Sequence, residues 1–254
     1  MTRPDNPFAA SGVGSLYERG RPYHHPRTLV RAMALLGDPV VARALDVACG
    51  TGLSAVALAD FSDQVAAVDF SPEMLAVAPR VPGVSYALSA AEQLPFPDAT
   101  FDGITCSSGV HWFDQERFFA EARRVLCTDG WIALYDHYFL GEMVDVPEFP
   151  EWTRVALDRY PLPRRTPQVG DPRAQTPTAY TKVGDEFFAD DIEMTQESFV
   201  DYELSISPFV AAAERGTPRE ELRAWLLDTT NPFFADVPSR TVRFLGSVTC
   251  LRAS

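Results

Sequence analysis

The stretch LDVACGTGLSAVALA, Leu45 to Ala59, constrains this chain more than any other. A short apolar run, the glycine pair Gly50 and Gly52 and then a helical run spell a strand, a tight turn and a helix whose N-terminus takes a nucleotide. Counted as Gly50, Gly52 and Ala55, with Asp69 following, the pattern also satisfies the relaxed fingerprint of dinucleotide-binding folds. The rest of the chain has to decide which nucleotide is meant.

The surrounding rhythm is regular. PRTLVRAMALLGD (Pro26 to Asp38) reads as a helix, ARALDVA as a buried strand, LSAVALAD as a helix and QVAAVDF as a second strand. SPEMLAVAPR follows as a helix capped by Ser71 with Pro72 in its first turn, then VSYALS and FDGITCSS as strands. DQERFFAEARRVLCTDG reads as a helix with Asp114 as N-cap and a turn at Gly130, before a fifth strand, WIALYDHYF. Continuous apolar strands alternating with amphipathic helices predict a doubly wound parallel α/β sheet covered on both faces. Beyond Gly141 the alternation stops in a stretch rich in proline and arginine, with one helix around Trp152 to Tyr160, read as a lid. EFFADDIEM then reads as a strand, TQESFVDYELS and TPREELRAWLLDTT as helices, and RTVRFLGSVTCLRA as a terminal strand.

A length of 254 residues suits one elaborated domain, and a net charge of −13 disfavours nucleic acid and anionic membranes as partners. Cys49, Cys106, Cys127 and Cys250 have no C-x-x-C spacing, which predicts reduced thiols, no metal site and a cytoplasmic location. No segment reaches the roughly 20 apolar residues of a membrane span, and the first residues lack the pattern of a signal peptide.

Asp46, Asp69, SAAEQLPFPDATFD and CSSGVHWFD fall at or near the carboxyl ends of consecutive strands, where open α/β sheets bind ligands. In the order LDVACGTG, VDFSPEML, AEQLPFPDATFD and RRVLCTDGWIAL, the chain resembles the class I S-adenosylmethionine-dependent methyltransferases from Leu45 to Leu134. The dinucleotide reading explains neither Asp46 and Cys49 nor the Ala-Glu-x-Leu-Pro-Phe run. SSGVHWFD, YERGRPYHHP and RYPLPRRTPQV are similar to the branch that includes trans-aconitate methyltransferase and small-molecule methyltransferases of natural-product pathways.

The resemblance implies a mostly parallel seven-stranded, Rossmann-like sheet in a single domain. Residues 1–36 would form a cap, 37–140 the cofactor core, 141–185 a lid and 186–254 the part completing the sheet. S-adenosylmethionine would meet Gly50 and Gly52 with its amino-acid end, Ala48 standing where glycine is more frequent, and Asp46 would hold the ammonium directly or through water. Asp69 would accept both ribose hydroxyls, with Phe70 and Met74 on the adenine faces. The Ala91 amide would meet an adenine nitrogen beside Glu92, with Ala90 replacing a frequent aspartate. Tyr17, Arg21 and Ser107 complete the cofactor set.

Methyl transfer is an in-line displacement that needs alignment, exclusion of water and, for a protonated nucleophile, a base. His111 is the first candidate base and His137 the second. Tyr23, His24, His25 and Tyr138 are candidates to line the substrate pocket, and Arg164 and Arg165 to clamp a carboxylate. The expected acceptor is a small organic molecule, methylated on oxygen more readily than on nitrogen or carbon, by a monomer or weak homodimer. The alternative is a protein of the same fold that binds the cofactor without transferring methyl, such as a cyclase or a partner subunit.

Overall fold

The computed structural model describes residues 19–162 and 176–254. Seven strands form one sheet: β1 (Arg43–Val47), β2 (Gln64–Asp69), β3 (Val84–Leu88), β4 (Phe101–Ser107), β5 (Leu126–Met143), β6 (Tyr180–Met194) and β7 (Arg240–Ala253). Their order is β3-β2-β1-β4-β5-β7-β6, and the pairs β1–β2, β2–β3, β1–β4 and β4–β5 are parallel. The order reverses between β1 and β4, which places the glycine turn at the switch point of a doubly wound sheet.

The described residues divide into two compact units. The first holds residues 23–137, 176–188 and 246–254, and its sheet is covered on both faces. One face packs Leu45, Val47, Val68, Ile104, Ile132 and Leu134 with Phe118, Ala122 and Val125 of helix α4 (Gln115–Val125). On the other, Ala44, Val65, Ala67, Trp131, Ala133 and Tyr135 meet Leu29, Ala32, Met33 and Leu36 of α1 (His25–Leu36) and Ala55, Ala57 and Leu58 of α2 (Leu53–Leu58). Alternate residues of each strand serve opposite faces, and both are apolar because both are covered.

The second unit holds residues 19–22, 138–162 and 189–245. Its core is aromatic, with Phe149, Trp152, Phe199, Tyr202, Phe209 and Phe244. They come from α5 (Phe149–Arg159), α6 (Gln196–Ser205), α7 (Ser207–Glu214) and the strand β7, with α8 (Arg219–Phe234) adding Leu222 and Leu226.

Ser71 and Asp114 cap α3 (Pro72–Ala76) and α4 as expected, accepting from the Met74 and Arg117 N–H groups. Three expectations differ. Helix α4 ends at Val125 rather than near Gly130, because Leu126 already pairs with Phe101 in the sheet. Helix α7 was not anticipated. The expected lid is divided: α5 belongs to the aromatic unit, residues 176–188 go with the cofactor unit, and 163–175 lie outside the described residues. Among the described residues no helix is long and apolar enough to cross a membrane.

Candidate active site

The turn after β1 is held from both sides. Asp69, the last residue of β2, is 6% exposed, and its Oδ2 accepts the Gly50 N–H at 2.9 Å while Oδ1 accepts the Ser71 N–H at 2.8 Å. Burial raises this carboxyl above the ordinary aspartate range, and the backbone donors Ser71, Gly50 and Phe70 work against that rise. Each carboxylate oxygen keeps a second lone pair, so the group can still accept a ligand hydroxyl. Phe70 stands half-buried between the two anchored residues.

Gly50 and Gly52 both have left-handed φ, +54° and +84°, and a Cβ on Gly50 would enter open space. A Cβ on Gly52 would instead come within 2.6 Å of the Tyr86 hydroxyl, so that tyrosine beneath the turn requires glycine there. Ala48 carries the same strain, with φ +58°, at the position where glycine is frequent in the resembling family.

Asp46 departs from its expected role. It is fully buried, and its two oxygens accept from Ser54 Oγ on α2 at 2.5 Å and Thr105 Oγ1 on β4 at 2.8 Å. Desolvation pushes its pKa up to about 7 against the lowering by those two hydroxyls. Asp46 therefore ties β1, α2 and β4 together under the turn, rather than presenting a free carboxylate to an ammonium. Cys49 is buried beside it, its N–H donating to the Val68 carbonyl, and desolvation with the nearby Asp46 and Asp69 charges holds its thiol protonated.

Two buried hydroxyls at this turn, Thr51 Oγ1 and Tyr86 Oη, have no hydrogen-bond partner among the described residues. Such groups are costly unless something satisfies them, and a polar ligand or a water laid on the turn would do so. The open space at Gly50, the second lone pairs of Asp69 and these hydroxyls fit the amino-acid and ribose ends of S-adenosylmethionine. Neither hydroxyl was legible as a site residue, since each reads alone as a strand or turn position.

The β3–β4 loop is braced from α4. Arg124 donates from Nη1 to the Phe96 carbonyl at 2.7 Å and to Asp98 Oδ1 at 2.9 Å, and from Nη2 to the Leu94 carbonyl at 3.0 Å. Its fork also binds both oxygens of Glu121, whose Oε2 accepts the Leu94 N–H. Glu92, expected at the adenine, accepts the Asp114 N–H at 2.7 Å and so links this loop to the N-cap of α4. Ala91 and Met74 are buried at 6% and 4% exposure, Ala91 within the sheet core. Arg124→Ala is expected to cost about 2 kcal/mol and to speed amide exchange at residues 94–98, as read by exchange mass spectrometry. Lysine should not rescue it, because a single ammonium cannot reproduce the fork.

Ser107 ends β4, paired with Tyr135 of β5. His111 lies in the 3-10 turn Val110–Trp112 that follows, half-buried, with its ring 5.1 Å from that of Trp112. His137, 5% exposed on β5, stacks on His24 with ring centroids 4.1 Å apart. Tyr23, next to this group, is 48% exposed.

Arg21 and Tyr138 belong to the second unit, where Arg21 donates to the Ser205 carbonyl at 3.2 Å and lies over the Tyr202 ring. Tyr17, Arg164 and Arg165 lie outside the described residues.

Comparison with known proteins agrees with this geometry. A family model described as a methyltransferase domain matches residues 45–134. The uncharacterized methyltransferase YcgJ of Bacillus subtilis is 39% identical over 103 residues, a match that spans 38% of this chain and 41% of that protein's length. The structure of a putative type II methyltransferase from Anaeromyxobacter dehalogenans aligns over 90% of this chain and 96% of its own, at 25% identity and a TM-score of 0.69. The [4+2]-cyclase SpnF shares the fold at 18% identity and a TM-score of 0.51, over 95% of this chain and 91% of its own. The glycine turn and the anchored Asp69 both lie within residues 45–134, the stretch that matches a methyltransferase domain, and they stand at the switch point of a sheet shared with solved methyltransferase structures.

Proposed function

We propose that this chain transfers the methyl group of S-adenosylmethionine to a small organic molecule, with an oxygen nucleophile as the preferred acceptor. The observation that carries the reading is the Asp69 carboxylate pinned between the Gly50 and Ser71 amides, which holds a pair of acceptor oxygens at the end of β2 before any ligand arrives. When bound, the cofactor supplies an electrophilic methyl on a sulfonium. The chain's own residues fix it, exclude water and receive a proton. A net charge of −13 supports a small acceptor over a nucleic acid, whose phosphates reward a basic face. A secondary-metabolic role, a cytoplasmic location and a monomer or weak homodimer belong to the same reading.

The cyclase neighbour supplies a second reading, in which the cofactor is bound but its methyl stays in place. One experiment separates the two. Calorimetry with S-adenosylmethionine and S-adenosylhomocysteine is expected to show binding of both, and labelled methyl should then appear in one or more members of a panel of phenols, carboxylic acids and amines. Binding without label transfer to any panel member, together with rearrangement of a polyene probe, would favour the cyclase. Absence of binding by either nucleotide overturns both readings.

A further inference from the structure

The chain has only four histidines, and three of them meet in one buried cluster within the cofactor unit. Tyr135 and His137, two apart on β5, face the side of the sheet that carries α1. The His137 ring lies flat on that of His24, with centroids 4.1 Å apart and planes within 7°. His24 also packs against His25 at 4.2 Å, and His25 Nδ1 is 3.1 Å from the Tyr135 hydroxyl. His24, His25, Tyr135 and His137 are each at most 8% exposed.

Position gives the cluster its interest. Tyr135 pairs with Ser107, and its carbonyl accepts the Ser108 N–H at 2.9 Å. His137 therefore stands just beyond the end of β4, at the same rim of the sheet as the glycine turn, where the reactive end of a ligand anchored at Asp69 and Gly50 would lie. Two imidazolium rings 4.1 Å apart would repel strongly away from water, so the stack accommodates one proton rather than two. His25 does not compete for it, because burial and the neighbouring His137 charge lower its pKa to about 3. Among the described residues, the titratable groups in ring contact with His24 or His25 include Tyr135 on β5 and Tyr23 beside His25, while Asp136 lies on the opposite face of β5, beside Cys106.

We propose that the His24–His137 stack is the proton acceptor for methyl transfer, with His137 taking the proton and the neutral His24 ring stabilising the resulting imidazolium across its face. This deepens the methyltransferase reading above and rests on it. In the step, the acceptor's O–H bond gives its proton to a ring nitrogen of His137 and the oxygen pair forms the new O–C bond. The S–C bond breaks with its pair returning to sulfur, so the positive charge of the sulfonium ends on the imidazolium. His111, on its exposed-sided turn, is left a positioning role for the loop after β4.

A proton acceptor at that rim of the sheet would sense the charge of a bound sulfonium, and this is testable without the methyl acceptor. In the nucleotide-free full chain labelled with ¹⁵N-histidine, the pair is expected to take up a single proton before the fold is lost, and His137→Asn should abolish that uptake. Calorimetry against pH should show S-adenosylmethionine, a cation at sulfur, losing affinity relative to neutral S-adenosylhomocysteine on acidification by about tenfold as the pair becomes charged. His137→Asn should make the ratio independent of pH. His24→Phe keeps a ring in the stack and should retain both the proton at His137 and the pH-dependent ratio, which guards against a folding defect in the asparagine variant. Rings that stay neutral until unfolding overturn the proposal, as does a ratio that ignores pH in the parent or survives His137→Asn. Failure of both nucleotides to bind would instead remove the methyltransferase reading on which it stands.

Discussion

Asp69→Ala is expected to weaken S-adenosylmethionine binding by about 10²-fold or more and to lower thermal stability at the same time, because the proposed site asks one carboxylate to hold both the turn and the ligand. In the folded chain its oxygens already hold the Gly50 and Ser71 amides at 2.9 and 2.8 Å. Removing them frees two backbone donors and lets the left-handed turn at Gly50 relax, so the ribose loses its acceptors and the amino-acid end loses its platform. Asp69→Asn separates these effects. It keeps the side-chain volume but turns one oxygen into a donor that must face a backbone N–H, so it should bind the cofactor little better than alanine. Calorimetry checks the affinity and thermal melting the loop, and an affinity unchanged in both variants would refute the assignment of this carboxylate to the ligand.

The second large effect concerns Asp46 and is one of stability. Asp46→Ala leaves the Ser54 and Thr105 hydroxyls, both buried, without their shared acceptor and opens a cavity between β1, α2 and β4. At pH 6 the expected cost is about 3 kcal/mol, or roughly 10 °C in melting temperature for a chain of this size. Asp46→Asn behaves differently, since its amide can still accept from one hydroxyl and donate to the other. The folded pKa of about 7 against an unfolded value of 3.8 means the folded chain holds an extra proton between those limits. The contribution of Asp46 to stability is therefore full below pH 3.8 and declines as pH rises to about 7, by about 4 kcal/mol in all. Asp46→Asn has no such slope, so it should gain on the parent as pH rises through that window and run parallel to it outside. His25 imposes the opposite slope, because its folded pKa of about 3 lies below the unfolded 6.5 and stability is lost as pH falls between them. Subtracting the parent's denaturation midpoints from the variant's at each pH removes that shared background.

The alternating strands and helices from Arg43 to Tyr135 were legible because the central strands are apolar on both faces and the helices after β2 and β4 each start at a capping side chain, Ser71 and Asp114. The two acidic residues Asp46 and Asp69 were also legible as site positions, yet their division of labour was not. It depends on Ser54 and Thr105, which approach Asp46 only when α2 and β4 pack beside β1. Helix α7 escaped because its buried residues Phe209 to Ala212 run on consecutively, leaving no helical stripe to read. The histidine stack escaped for a simpler reason. His24 and His137 lie far apart in the chain and meet only because α1 starts over the end of β5. Tyr86 is the same kind of case, an ordinary strand tyrosine until Gly52 is seen to rest on its hydroxyl.

Cys49 gives the cofactor turn a built-in clock. Its thiol is buried at 5% exposure and kept protonated by its surroundings, so a water-soluble thiol reagent has to wait for the turn to swing away from β2. With Cys250 and Cys106 sealed in the sheet and Cys127 already half-exposed, the reaction should divide into a fast phase, a slow phase set by global unfolding and an intermediate phase belonging to Cys49. The rate of that middle phase measures how often the turn opens, and its slowing by bound nucleotide converts directly into the free energy with which the ligand holds the turn shut.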